Sequence, residues 1–184
     1  MSFSNISIEK SKITDSLELR YLSSKDSESY QSMRLQALQQ YPERYYRDVI
    51  EEQDRSNENV CEILKDRNKI GNFILGAFYN EKLCAILGFH RYEPIHINHR
   101  AYLYGCYIDN SVCDEEKVYH LLIQRILDEA LLVPKLEQVE ATTILSKESK
   151  ILEQYGFEQY GFLPKSIKVE NQFYDEFLYK KIIR

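Results

Sequence analysis

The residues of this sequence that could carry chemistry are carboxylates in and at the ends of its apolar segments. Glu93 and Asp109 follow two such segments, and Glu140 lies inside a third. A carboxylate at any of these positions could take a proton from an ammonium group, directly or through a water molecule. Because charged side chains are mostly solvated, the sequence does not choose among the three.

The cysteines and histidines form no recognisable ligand pattern. No two cysteines have C-x-x-C spacing, and Cys84 and Cys106 lie in apolar runs, so we expect reduced and mostly buried thiols. His96 and His99 form an H-x-x-H pair without a helix or a second group of ligands. We therefore interpret the pair as part of a polar turn and predict no metal site.

The composition predicts a single soluble domain. The chain has 184 residues, of which 43% are hydrophobic and 29% are charged, as is usual for a globular protein. Its net charge of −5 argues against a nucleic-acid partner, which requires a basic surface. No apolar run is long enough to span a bilayer, and residues 1–16 are too polar for a signal peptide. We expect a cytoplasmic protein without a membrane partner, with an N-terminal extension over 1–16 and one domain over 17–184.

Hydrophobic periodicity and turn residues divide the domain into strands and helices. The predicted strands are 17–22, 72–79, 82–92, 101–108, 136–144, 159–169 and 173–183. The predicted helices are 28–40, 114–132 and 146–154, with a charged helical stretch over 45–65 whose inward side chains are Val49, Ile50, Val60, Ile63 and Leu64. This order predicts an α/β (α+β) sandwich with a mixed sheet, not an alternating doubly wound fold.

Four local motifs resemble those of the GNAT acetyltransferase superfamily. They are MRLQAL with YPE in residues 33–43, YID in 107–109, LEQYGFEQYG in 152–161, and KVENQFYDE in 168–176. Each motif is modest alone, but together they span about residues 17–183 in the family's order. The chain is therefore identified from its sequence as a divergent member of this superfamily.

The resemblance implies a fold, a cofactor and a reaction. The fold is a mixed, mostly antiparallel central sheet with helices on both faces, in which the strands 101–108 and 136–144 splay apart. Acetyl-CoA would bind in that gap, its acetyl carbonyl held by backbone N–H groups near Tyr107 and Ile108. The acetyl group would pass to a primary amine of a small molecule or peptide, and a homodimer stays open as the assembly.

The family's pyrophosphate loop corresponds here to residues 113–118, which are Cys113, Asp114, Glu115, Glu116, Lys117 and Val118, followed by Tyr119. Such loops use glycines and free N–H groups at a helix start to hold phosphate. Here Cys113 stands at the arginine or glutamine position, while Glu116 and Val118 stand at the glycine positions. No glycine occurs between Gly105 and Gly156, so a small alignment shift cannot restore the motif.

The loop has also become acidic. Three carboxylates in the first turn would stabilise the helix start themselves. They would repel a pyrophosphate by about 1–4 kcal/mol per close pair, with Lys117 offsetting part of this. Backbone N–H groups could still hold the phosphates if the acidic side chains point outward. If lost phosphate contacts weaken binding, replacing Glu116 and Val118 with glycine should restore it.

Two further positions depart from the family pattern. Leu145 stands where an asparagine is frequent, and Leu152 stands where a tyrosine often protonates the leaving thiolate. Leucine transfers no proton, so Tyr155, one helical turn on, is the candidate replacement, although packing below Gly156 explains it as well. Tyr119 lies near the cofactor gap but is also explained as a surface aromatic residue. Glu93 is the candidate base taken forward.

These departures leave more than one function open. The first hypothesis is an acetyl-CoA-dependent N-acetyltransferase with a degenerate loop. The alternative is a catalytically inactive GNAT-like domain that binds a ligand or protein. A weaker third is an enzyme whose acyl donor lacks the pyrophosphate.

Overall fold

The computed structural model describes residues 17–184, so the predicted extension over 1–16 lies outside the described part. The strands are β1 (Leu17–Tyr21), β2 (Asn68–Lys69), β3 (Asn72–Tyr79), β4 (Lys82–Arg91), β5 (Arg100–Ile108), β6 (Gln138–Thr143), β7 (Glu158–Val169) and β8 (Gln172–Ile182). The helices are α1 (Ser27–Gln40), α2 (Val49–Gln53), α3 (Asn57–Asp66), α4 (Glu115–Leu132) and α5 (Ser146–Gln154). None of these helices is long and apolar enough to cross a membrane.

All eight strands belong to one sheet. Seven of them lie in the order β1-β3-β4-β5-β6-β8-β7, and β2 pairs with β3 beside this path. Only β5 and β6 are parallel, and all other pairs are antiparallel. The mixed, mostly antiparallel sheet is thus confirmed, and the strand with few charges, β5, lies centrally as its composition indicates.

Helices cover both faces of the sheet. Successive residues of a strand point to opposite faces, so Leu75 and Ile74 belong to different cores. Leu75 packs in the cluster that contains Ile123 of α4, whereas Ile74 packs with Leu38 of α1. The sheet is therefore buried on both sides, as predicted.

The central strands separate after a short parallel contact. Strand β5 pairs with β6 only from Arg100 to Tyr102, which lie opposite Gln138 to Glu140. Beyond Tyr102 the β5 edge that faces β6 has no strand partner, and the two strands diverge. The predicted splay is confirmed, and it opens a gap in the middle of the sheet.

Two helix predictions need correction. The stretch 45–65 is not one helical segment, because Ser56 caps a new helix by accepting a hydrogen bond from the Asn59 N–H at 3.3 Å. Ile50 is 63% exposed instead of inward, whereas Val60 and Leu64 are buried as predicted. The short α2 is thus a separate element.

The turn that precedes α4 does not supply its capping side chain. Residues 109–111 form a turn in which Asp109 accepts hydrogen bonds from the Ser111 N–H and hydroxyl. Helix α4 begins at Glu115, and the capping side chain is Asp114, which accepts from the Lys117 N–H at 3.0 Å.

Candidate functional site

Two cavities open on the gap between β5 and β6. The larger, called here the large cleft, has a volume of about 780 Å³ and lies among α1, α2, β5 and the β6–β8 strands. The smaller, called here the small cavity, has a volume of about 410 Å³ and lies between the starts of α4 and α5. Both volumes are in the range of sites for small molecules.

The two cavities share one wall, made by Arg44, Cys106, Tyr119 and Glu148. Arg44 and Glu148 form an ion pair, and the other carboxylate oxygen of Glu148 accepts a hydrogen bond from the Thr143 hydroxyl at 2.6 Å. Both side chains are about nine-tenths buried. This network therefore fixes the position of the short helical turn Pro42–Arg44 relative to α5 and β6, beside both cavities.

A β-bulge in β5 shapes this wall. Ile86 pairs with Tyr107 but Gly88 pairs with Tyr104, so β5 carries an extra residue there. Gly105 has a φ of +64°, a conformation that glycine adopts without steric cost. The Tyr45 hydroxyl donates to the Cys106 carbonyl at 2.7 Å and holds the bulge against the helical layer.

The bulge also explains the tyrosines of β5. Tyr102 and Tyr104 line the large cleft. Tyr107 would face the opposite side in a regular strand, but the extra residue turns it to the α1 side, where its hydroxyl donates to Gln40. Its side chain is buried and lines neither cavity.

The start of α4 forms one side of the small cavity. The Asp114 carboxylate accepts a hydrogen bond from the Lys117 N–H, but the N–H groups of Glu115 and Glu116 have no hydrogen-bond acceptor among residues 17–184. Free N–H groups at a helix start attract anions. Ile108 lies at the inner end of the same cavity.

Positive charge reaches the small cavity from α5, not from the loop. Lys147 forms an ion pair with Glu115 at 2.5 Å, and Lys150 lines the cavity without an ion-pair partner in the described part of the chain. Neither lysine belongs to the loop motif, so the motif did not predict them. The sequence signal for them is their spacing of three residues, which places them on one side of a helix.

Tyr119 lines both cavities. Its side chain is 7% exposed, so the interpretation as a surface aromatic residue was wrong. Burial raises its pKa well above the usual value, and nearby Glu148 and Cys106 act in the same direction. The hydroxyl therefore stays protonated at neutral pH and can donate a hydrogen bond.

The other loop positions lie away from the cavities. Val118 is buried in the core beneath α4. Cys113 donates its thiol hydrogen to the Asp109 carbonyl, and burial raises its pKa to about 12. Lys117 contributes its backbone N–H to the Asp114 cap.

The two predicted catalytic residues lie outside both cavities. The Tyr155 hydroxyl donates to the His120 carbonyl at 3.0 Å, and the two rings pack together. Leu152, at the position of the family tyrosine, is fully buried in the core. Glu93 is exposed in the connection between β4 and β5.

Glu140 is the strand carboxylate that does reach the large cleft. It accepts hydrogen bonds from Arg100 at 2.5 Å, Gln138 at 2.6 Å and Tyr92 at 3.2 Å. The cleft also holds Glu176, which sequence reasoning missed. Glu176 is the last residue of the motif 168–176, but that motif does not indicate a place in the cleft, because Tyr46 comes from a distant part of the chain.

A profile of the acetyltransferase (GNAT) domain matches residues 19–178, which is most of the chain. The chain belongs to the GNAT acetyltransferase family. No protein of curated function matches its sequence.

Several solved structures share the GNAT fold with this chain. An acetyltransferase of the GNAT family from Streptococcus pneumoniae superposes with a TM-score of 0.80 at 18% identity, covering 92% of this chain and 100% of that one. A putative acetyltransferase from Salmonella typhimurium, solved with its cofactor acetyl-CoA, gives 0.77 at 13% identity, covering 91% and 94%. A phosphinothricin acetyltransferase from Sinorhizobium meliloti in complex with acetyl-CoA gives 0.76 at 10% identity, covering 90% and 88%. At these identities the likeness establishes a common fold.

Proposed function

We propose that this chain transfers an acetyl group from acetyl-CoA to a primary amine of a small molecule or peptide. The observation that carries the proposal is that two adjacent cavities at the gap between β5 and β6 share the lining residues Arg44, Tyr119 and Glu148. A donor in one cavity and an acceptor in the other would meet at the wall formed by Arg44, Tyr119 and Glu148. Holding two reactants in contact is a large part of catalysis in a direct transfer.

The residues of the small cavity fit a phosphate-bearing donor despite the lost glycines. The open N–H groups of Glu115 and Glu116 are suited to phosphate oxygens. Lys147 and Lys150 offset the carboxylates of the helix start. When bound, acetyl-CoA supplies the acetyl group as a thioester.

Two side chains of this shared wall are suited to the proton movements of the reaction. Glu148 is the carboxylate that borders both cavities, so we assign it the acceptance of the proton from the amine. The protonated Tyr119 hydroxyl has no hydrogen-bond acceptor within residues 17–184 and is assigned the donation of a proton to the thiolate. The proposal does not use Tyr155 or Glu93.

Binding of the donor is tested by calorimetric titration with acetyl-CoA at low salt. We expect binding in the micromolar range, weakened by Lys150→Ala and by added salt, because the phosphate contacts are partly ionic. Lys65→Ala on α3, outside the small cavity, is the matched control. Absence of heat at millimolar acetyl-CoA would instead support the non-catalytic alternative.

The proton donor is tested with a matched pair of tyrosine variants. Thiol release from acetyl-CoA is followed in the presence of a panel of primary amines. Tyr119→Phe should lower kcat by about 100-fold or more, since acid–base groups contribute on this scale. Tyr155→Phe loses a hydroxyl outside both cavities and should leave kcat nearly unchanged. The reverse ranking would reject the assignment of Tyr119 in favour of Tyr155.

A further inference from the structure

One end of the large cleft, beside α1, α2 and α3, carries more positive than negative charge. Arg34, Arg55 and Arg67 line this end together with a single carboxylate, Glu52. All four charged groups affect the pKa of the buried Tyr30. Burial raises this pKa, the three arginines lower it, and Glu52 raises it. The four charged groups therefore all lie near one lining residue of the cleft, Tyr30.

The single carboxylate does not saturate these arginines. Arg34 Nε and Arg55 Nη1 lie 4.0 and 3.8 Å from the same oxygen of Glu52, its Oε2. The other oxygen, Oε1, is buried and has no hydrogen-bond partner in the described part of the chain. By comparison, Arg20 and Asp26 approach to 2.7 Å. The Glu52 contacts are thus the longest ion pairs of the described chain and leave donors on both arginines unused.

Arg67 has even less charge compensation. Its Nη1 donates to the Tyr104 hydroxyl at 3.0 Å, and its guanidinium lies over the same ring at 5.1 Å. No carboxylate pairs with it within residues 17–184. A guanidinium with free donors in a cleft is suited to bind a carboxylate or phosphorus oxyanion in bidentate fashion.

The opposite wall of the cleft has the complementary charge. Glu176 on β8 is buried and accepts hydrogen bonds from the Tyr46 hydroxyl at 2.8 and 3.0 Å and from the Ser166 hydroxyl. Its partners are neutral, and no cation pairs with it in the described chain. The cleft thus presents a carboxylate on the strand side and arginines on the helix side.

We propose that the large cleft binds an amine that also carries an oxyanion, a carboxylate or a phosphorus oxyacid, and that Arg34, Arg55 and Arg67 hold this oxyanion. The proposal rests on the proposed function, because it names the class of acceptor. The acceptor is therefore zwitterionic, with its ammonium group directed away from the arginines. Buried Glu52 lies between Arg34 and Arg55 and keeps these two arginines in place.

The test compares binding of charged probes and their uncharged counterparts. L-Leucine is titrated beside L-leucinamide, and 2-aminoethylphosphonate beside n-propylamine, each by calorimetry at up to tens of millimolar. At least one acid should bind about tenfold or more tightly than its counterpart, as expected for charge-assisted hydrogen bonds. The pair that shows the larger ratio distinguishes a carboxylate from a phosphorus oxyacid.

The variants Arg67→Gln and Arg55→Gln should each reduce this ratio towards one. Arg125→Gln makes the same charge change on α4, outside both cavities, and should keep the ratio. Because a ratio compares two ligands on one protein, partial loss of folded protein does not change it. Binding that is equal within each pair, absent for every probe, or equally selective in both cleft variants would overturn the proposal.

The outcome is separable from that of the proposed function. Selective binding without acetyl transfer to any amine would leave this inference intact and reject the transferase. Acetyl transfer to amines without preference for an oxyanion would do the reverse.

Discussion

The small cavity and the large cleft differ in how they hold charge. Apart from the buried Arg44–Glu148 pair, which lines both regions, the charged groups of the small cavity, such as Glu116 and Lys150, lie near the surface of α4 and α5. Those of the large cleft, such as Glu52, Glu140 and Glu176, are buried and come from different elements. Exposed charges are screened and contribute little, whereas buried charges are costly unless the structure fixes partners for them. In this chain the buried charged groups are therefore concentrated in the large cleft, whereas most charges of the small cavity are exposed to solvent.

The largest expected effect is at the wall that the two regions share. Glu148→Leu leaves the buried Arg44 unpaired and should lower the free energy of unfolding by about 3–5 kcal/mol. It should also weaken ligand binding in both cavities. Urea unfolding measures the loss of stability, and one calorimetric titration for each cavity measures the loss of binding. The double variant Arg44→Met/Glu148→Leu removes both charges and should recover most of the stability. If the double variant were as unstable as the single, the ion pair would not be the cause.

Two variants at the start of α4 separate the effect of packing on stability from the effect of charge on acetyl-CoA binding. Val118→Gly deletes a buried side chain inside a helix and should cost about 2–4 kcal/mol of stability. Glycine at this position therefore cannot restore phosphate binding without damaging the core, which corrects the expectation from the sequence. Glu116→Gln should instead tighten acetyl-CoA binding by roughly two- to fivefold by removing one exposed repulsion. Thermal unfolding and calorimetry separate the two effects, and unchanged affinity in Glu116→Gln would show that this carboxylate does not face the phosphates.

The bulge that opens both regions depends on Gly105. A Cβ atom there would lie 3.6 Å from Arg34 Nη1, which is an ordinary contact, so the cost of substitution is the positive φ. Gly105→Ala should lower stability by about 1–2 kcal/mol, and Gly105→Asn by less, because asparagine adopts this conformation more readily. Urea unfolding of the two variants measures the difference. Equal losses would point to packing instead of backbone conformation.

The smallest effect concerns pH and belongs to the large cleft. Burial lowers the pKa of His90 from its ordinary value of 6.5, and Arg67 adds to this. The folded state therefore resists protonation, and the stability from neutral His90 is complete above pH 6.5 and falls as the pH drops towards the lowered pKa. His90→Gln should have a flatter dependence of unfolding free energy on pH between 7 and 5. An NMR titration that places the His90 pKa at or above 6.5 would contradict the predicted loss of stability at low pH.

The fold was predictable because its signals are local. The helix 146–154 and the strand 72–79 were predicted with their observed bounds, since Pro, Gly and polar turns end each apolar period. The division of the stretch 45–65 into two helices was not predicted, because its charge pattern is compatible with one helix as well as two. The Ser56 cap starts the second helix. The inward position of Ile50 failed because a five-residue helix such as α2 has no full apolar face.

The candidate site was predictable only where one segment supplies it. The loop at 113–119 was found from the motif order, and the start of α4 does line the small cavity. Arg44 and Glu148, 104 positions apart, carry no joint signal in the sequence. Neither do Arg34 and Glu52, whose ion pair depends on the packing of α1 against α2.

By itself, the sequence determined the family, the order of the elements and the absence of glycine between Gly105 and Gly156, because each of these depends on residues that are close together in the chain. The tertiary structure decided that Tyr119 is buried beside both cavities, that Tyr155 and Glu93 lie outside them, and that three arginines and Glu52 line the same end of the large cleft. These features depend on the divergence of β5 from β6 and on a one-residue bulge. Burial and distance set the charge state and reach of a side chain, and both are properties of the folded chain.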